Sequence, residues 1–488
     1  MSSTLFTNAT IVTMDPQRRI LEAAALRVTG ERIAAIGTDL RPLPGERVMD
    51  CTGKLLIPGL IDAHGHAGHS LIRGIGADTN PLWMKIVTPL YWHWTTPEFW
   101  QAEGLVSGLE RLRAGVTTGA SVVTSMPRSD DPEIAISHAR AYAQVGLREI
   151  VCTGPAGLPW PRDATTWRDG RPERRSVGLE AMLEGAEAVI QTLNGTEGGR
   201  ILTYLTPFTI VPSIETSNIS TPDQAVALTG DDRRHARLVR ELARKYRVRL
   251  HSDAFAGHIR LAAQDRENAL LGPDIHLQHC WGISPAEIDI LAETGTPVTH
   301  APPGRATPVI EMMAAGITVA VTTDGTAPNR AFDLLQVARL FQSVQHVLRG
   351  HDRYFLPPGK VLEMITIDAA HVLGLADRIG SLEVGKQADL AVIDMRAPHL
   401  TPDWQPVHRL IAQGLGSDVE TVMVGGEFVL LDRKVQRVDE ALALAEGNRL
   451  ARELVARAGM EAHLRDPGWG QIYRTFDAPI PLPQLPQG

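Results

Sequence analysis

At 488 residues the chain is too long for one ordinary compact domain, and its 43% apolar content is ample for a sizeable core. A large α/β barrel with insertions could take up most of that length. The net charge of −8 supplies no attraction for nucleic acid or an anionic membrane, so neither is expected as a partner. Three widely spaced cysteines, Cys51, Cys152 and Cys280, do not form a disulfide framework. Residues 1–14 lack a basic start followed by an apolar block, and no run of eighteen apolar residues suggests a membrane span. The expectation is a soluble, cytoplasmic protein.

The first 57 residues read as short strands, over 5–14, 24–28 and 32–36, punctuated by Gly30 and Gly37. A long middle section then alternates apolar strands with amphipathic helices. Strands are expected over 116–123, 147–153, 201–205, 248–252, 275–279, 298–300 and 317–323, with helices over 97–114, 179–193, 232–246 and 285–293. Strand–helix alternation of this length predicts parallel β/α units closing a (β/α)8 barrel over residues 58–384. Residues 162–175, rich in Arg, Asp and Gly, read as an exposed loop whose role does not go beyond shaping the site rim. Strand character returns at 390–393 and 421–431, with Gly425-Gly426 as a hairpin turn. Residues 1–57 and 385–435 are therefore expected to pair into one small β-sandwich domain beside the barrel, since chain ends often lie close together. Residues 436–488 read as a helix followed by a Pro-rich tail over Pro479 to Pro486.

The chemistry sits at strand ends. In Pro58-Gly59-Leu60-Ile61-Asp62-Ala63-His64-Gly65-His66, two imidazoles on alternate residues follow an apolar run and project to one side of a strand. Such a pair supplies half of a zinc or iron site. His251, His279 and Asp324 each follow an apolar run farther on, where a barrel keeps its reactive groups. A single strand-end histidine is more often structural than catalytic, but five such residues favour a metal site. The aromatic residues Trp83, Tyr91, Trp92, Trp94 and Trp100 follow the first strand; most are expected to be packing residues, with Trp83 or Trp92 as a pocket wall. His69 and His93 are expected at the rim or directly behind the ligands, His276 in a hydrogen-bonded strand position rather than as a ligand, and His300 near the seventh strand in a structural, supporting or substrate-binding role.

These residues resemble the amidohydrolase superfamily, in the branch holding cytosine deaminase, adenosylhomocysteine-type deaminases and the s-triazine hydrolases. The likeness extends through Arg73-Gly74, His279-Cys280, Val298-Thr299-His300-Ala301-Pro302, Thr323-Asp324-Gly325 and the segment from Gly380 to Leu390. The resemblance implies one divalent metal, zinc or alternatively iron, on His64, His66 and His251, with Asp324 as ligand or near-ligand. It also implies a metal-activated water as nucleophile, Asp324 as general base and then acid, and His279 orienting the water or donating to the developing oxyanion. No lysine lies in residues 201–207, so the family's lysine bridge between two metals is not expected. A small-molecule substrate and a homo-oligomer are the partners it implies.

Two departures bear on substrate. The deaminases of this branch carry a glutamate three residues after the fifth-strand histidine, where this chain has Ala254; Asp253 could substitute or could serve the metal's surroundings. Phe208 stands where relatives often hold a substrate-binding histidine, which suits a less polar ligand. Both favour hydrolysis of a non-peptide C–N bond at the carbonyl of an amide, urea or carbamate. The alternative is deamination or dechlorination of a heteroaromatic ring.

Overall fold

The computed structural model describes residues 3–75, 80–214, 227–302, 307–350, 356–464 and 469–470. The Pro-rich segment Pro479 to Pro486 lies outside them. Eight parallel strands form the central barrel: Leu60–Ala67, Val116–Val123, Arg148–Thr153, Ile201–Leu205, Leu250–Phe255, Ile275–Trp281, Val298–His300 and Val319–Val321. Helices cover their outer faces, so the strands are buried on both sides and carry apolar and small residues almost continuously. The helix starts are written locally. In Pro285–Thr294, Ser284 and Glu287 form a reciprocal capping box with proline at the first position, and Thr229 with Asp232 does the same for Gly230–Tyr246.

A second, nine-stranded sheet is built from both chain ends, with Lys54–Pro58 pairing Ser3–Val12 on one side and Leu390–Asp394 on the other. Glu427–Leu431 lies four strands from Ser3–Val12, about 19 Å away in a flat sheet. The rings of Phe6 and Phe428 are nonetheless 6.2 Å apart, so the sheet curls around its own apolar core. Gly425 and Gly426, both at positive φ, make the expected turn. The helix Glu440–Arg457 packs on the helix Pro97–Arg113, with Gly447 close against Val106 and Arg113 paired to Glu440. Among the described residues no helix is long and apolar enough to cross a membrane. All three cysteines are free and buried.

The expected loop at 162–175 is instead an antiparallel hairpin, Arg162–Arg168 with Arg171–Val177. Its turn is Asp169-Gly170, both at positive φ, the pair that matches the right-handed twist of two strands. It packs inward: Trp167 donates from Nε1 to the His93 carbonyl at 2.7 Å, and Arg128 donates to the Thr165 carbonyl at 3.0 Å. Charge alternation masked a strand pair whose anchors lie elsewhere in the chain.

Between the barrel and its helices Pro97–Arg113 and Pro132–Val145 lies a fully buried charged cluster. His138 sits between Glu149, at 3.2 Å, and Glu103, at 3.4 Å. Burial alone would push this imidazole down, but the two carboxylates raise it to about 9. A histidine raised above its ordinary value stabilises the fold fully below about pH 6.5 and loses that contribution as pH rises through about 9. Unfolding free energy measured in urea is therefore expected to fall across that window, by at most on the order of 3 kcal/mol, and His138→Gln should flatten the decline. An equal slope in both proteins would assign the pH dependence to other groups.

Candidate metal centre

Strand alternation brings His64 and His66 to one side of Leu60–Ala67, with ring centroids 5.0 Å apart. His251 arrives from the fifth strand, its Nε2 lying 2.7 Å from His64 Nδ1. It stands near the start of Leu250–Phe255 rather than at its end, because the strand runs on to pair Ala254 with His279 and Phe255 with Trp281. Asp324 follows the eighth strand and places Oδ1 3.3 Å from His64 Nε2 and 3.2 Å from His66 Nε2. His279 completes the group, its ring centroid 5.8 Å from that of His64. Thr124, His279, Cys280 and Asp324 all adopt positive φ, and His279 and Asp324 belong to the cluster itself. Such backbone costs energy at non-glycine residues and persists where surrounding structure enforces it.

The hydrogen-bond partners fix which nitrogens face inward. His66 Nδ1 lies 2.7 Å from the Thr124 carbonyl, which can only accept, so that nitrogen carries the proton and Nε2 keeps its lone pair. His251 Nδ1 faces the His276 carbonyl at 3.4 Å in the same sense. His251 Nε2 faces His64 Nδ1, so His251 reaches the cluster through that ring, while His66 Nε2 and His64 Nε2 both face Asp324 Oδ1. Donor atoms of His64, His66 and Asp324 all lie within 4.8 Å of one another, and so do those of His64, Asp253 and His279. Each of these groups offers two imidazoles and a carboxylate, donors that fit zinc or iron.

Asp253 is the residue the sequence reading left undecided. Two positions after His251 it shares that histidine's strand face, and its Oδ2 lies 3.8 Å from His279 Nε2. Burial and nearby Asp324 push its carboxyl up to about 8 against the opposing pull of His66. Arg330 was not foreseen. Its Nη1 donates to Asp324 Oδ2 at 2.6 Å, which leaves Oδ1 for the histidines.

The other expected site residues divide. Trp83 stands edge-on to His69 at 5.6 Å, and His69 stacks on His66 at 4.8 Å, so Trp83 is one ring removed from the cluster. Trp92 packs beneath the guanidinium groups of Arg128 and Arg162, at 5.5 and 5.9 Å from its ring. Phe208 is half-buried beside Gly157, and its carbonyl accepts from the Asp253 N–H at 3.2 Å, which puts it next to the site wall. His300 is buried against Phe341, and burial together with the field of His279 and Arg330 pushes it down to about 3. His276 stacks under His251 at 4.3 Å. His93 lies 3.1 Å from the Thr165 hydroxyl of the hairpin.

Known proteins resemble this architecture over most of its length. A profile described as the amidohydrolase family matches residues 55–429. A 5-methylthioadenosine/S-adenosylhomocysteine deaminase of Desulforudis audaxviator is 31% identical over 430 residues, covering 84% of this chain and 89% of that protein. A 5'-deoxyadenosine deaminase of Methanosarcina mazei is 27% identical, covering 94% of this chain and 99% of that one. Among solved structures, an adenosine deaminase from Xanthomonas campestris with bound zinc superposes with a TM-score of 0.76 at 22% identity, covering 93% of this chain and 99% of its own. The atrazine chlorohydrolase of Arthrobacter aurescens TC1, complexed with zinc, gives 0.74 at 22% identity, covering 92% of this chain and all of its own.

Proposed function

The chain belongs to the amidohydrolase family of metal-dependent hydrolases, and on that premise we propose that it cleaves a C–N bond at the carbonyl carbon of a small, partly apolar amide, urea or carbamate. The observation that carries this reading is Ala254, wholly buried three residues after His251. Attack on an aromatic ring carbon needs the neighbouring ring nitrogen protonated, and a methyl group has no proton to give. A carbonyl carbon is already polarised and asks only for donors at its oxygen.

In this reading His64, His66, His251 and Asp324 hold one divalent metal, zinc by preference, which when bound supplies a water acidic enough to ionise near neutral pH. Asp324 accepts the water's proton and returns it to the leaving nitrogen. His279 presents Nε2–H to the substrate oxygen, because the Gln278 side-chain amide lies 3.4 Å from its Nδ1 and donates there. Phe208 and Trp83 line the approach on the apolar side, and His300 lies behind His279.

One observation favours a second reading, deamination or dechlorination of a heteroaromatic ring. Asp253 faces the site beside His279 with its carboxyl raised, so it is placed to protonate a ring nitrogen. The curated relatives are nucleoside deaminases by description, which points the same way. Assaying the zinc-loaded enzyme on aryl ureas, carbamates and anilides beside 5'-deoxyadenosine-type nucleosides and s-triazines separates the two. Turnover confined to the ring compounds would reject the carbonyl reading. On its preferred substrate class, Asp253→Asn is expected to cost less than about tenfold in kcat/KM for a carbonyl substrate and about 10²–10⁴-fold if it protonates a ring.

A further inference from the structure

The seam where the barrel closes, between the first and eighth strands, is held by side chains as much as by backbone. Its backbone link is a bridge between Gly65 and Asp324, with the Asp324 N–H donating to the His64 carbonyl at 3.1 Å. The eighth strand ends at Val321, and two residues on the Thr323 N–H is caught by Asp62 Oδ1 at 3.0 Å. The Thr323 hydroxyl donates to Asp62 Oδ2 at 2.7 Å. A carboxylate thus stands where a ladder carbonyl would otherwise serve.

Asp62 is wholly buried, and its counter-ion is Arg111 of the helix Pro97–Arg113, also wholly buried. Nε and Nη2 of Arg111 donate to Asp62 Oδ2 at 3.1 and 2.8 Å, while Nη1 donates to Ser121 and Tyr142, each at 2.8 Å. The guanidinium also lies 4.2 Å over the ring of Phe332. It reaches directly beneath Gly65, the residue between the two histidines. A Cβ there would come within 2.3 Å of Arg111 Nη2 and 3.0 Å of Phe332. A Cβ at Gly119 on the second strand would meet Arg111 Nη1 at 2.5 Å. Glycine at both places is a steric consequence of the arginine.

We propose that Asp62 and Arg111 are positioning residues that set the spacing between the two halves of the donor set, His64 and His66 on the first strand and Asp324 just past the end of the eighth. Asp62 lies two residues before His64 and binds the residue just before Asp324, so any slip at the seam moves the carboxylate relative to both imidazoles. Arg111 pairs the wholly buried Asp62 carboxylate, which would be costly to bury without a partner. Groups that orient ligands from behind a metal site typically cost about 10–100-fold in affinity or activity when removed.

This rests on the metal reading of the site, and the experiment keeps the two apart. Zinc affinity is measured by competition with a chromophoric chelator in the parent protein, Asp62→Asn, Arg111→Lys and Thr323→Val. Visible spectra of the cobalt(II)-substituted proteins report ligand geometry. Thr323→Val removes one hydroxyl bond at nearly constant shape and remains informative if either charge variant fails to fold. Leu26→Ala, in the core of the end sheet, serves as a control for lost stability alone. The expected result is zinc bound about 10–100-fold more weakly in the seam variants, an altered cobalt spectrum, and a fall in kcat with KM within about twofold. The control should lower Tm and leave affinity and spectrum unchanged. Seam variants that lose Tm but match the parent in zinc affinity and cobalt spectrum would overturn the positioning role. A parent protein that binds no zinc would overturn the metal reading itself.

Discussion

Replacing Asp324 with asparagine is expected to lower kcat by about 10²–10⁴-fold at saturating zinc while the fold survives. The backbone at this residue has φ 61°, a conformation that asparagine tolerates better than most residues, so the substitution isolates the carboxylate from the turn that carries it. The Asp324 N–H bond to the His64 carbonyl is untouched. What changes is the face toward the imidazoles. Arg330 claims one oxygen with a 2.6 Å bond, and an asparagine can satisfy it only with its single carbonyl. The amide nitrogen then faces His64 and His66, where it neither binds a cation nor accepts a proton. Although burial pushes the Asp324 carboxyl up, the charge of Arg330 and the imidazoles beside it hold it well below the usual carboxylate range, so it is ionised. Zinc titration separates the two losses: weaker zinc binding reports the ligand role, and the residual rate with zinc saturating reports proton transfer. A variant turning over within about tenfold of the parent once loaded would remove Asp324 from the chemistry.

The core of this constellation could be read from the chain because the barrel converts a one-dimensional pattern into a place. An apolar run followed by His or Asp marks the end of a strand, and His64, His66, His279 and Asp324 all meet near that end of the sheet. Asp253 was legible in the same way, by alternation from His251, once the fifth strand is known to continue through Phe255. Arg330 had no such signal, since it lies six residues past Asp324 in a connection whose path only the fold determines. The Thr124 carbonyl that orients His66 is a backbone atom and leaves no trace in residue type. The hairpin at 162–177 was legible in its Asp-Gly turn, but runs of arginine and aspartate outweighed that cue. Asp62 and Arg111 lie 49 residues apart, and their pairing depends on a helix docking under the seam.

His279→Asn is expected to lower kcat by about 10²–10³-fold with little change in KM, as when one preorganised donor to a developing oxyanion is lost. The imidazole is built into an aromatic stack, 5.6 Å from Phe255 and 4.4 Å from Trp281, at a backbone φ of 73°. Burial pushes its pKa down to about 3, so it is neutral across the working range and acts by hydrogen bonding rather than by charge. Gln278 donating to Nδ1 places the single ring proton on Nε2, the nitrogen nearer Asp253. Asparagine accepts the positive φ but is too short to bring a donor to the same point. The loss should therefore appear in the chemical step and not in ground-state binding. Combining the change with Asp324→Asn should cost far less than the product of the two single losses, because both serve one transition state. A raised KM with kcat unaltered would instead make His279 a wall of the pocket.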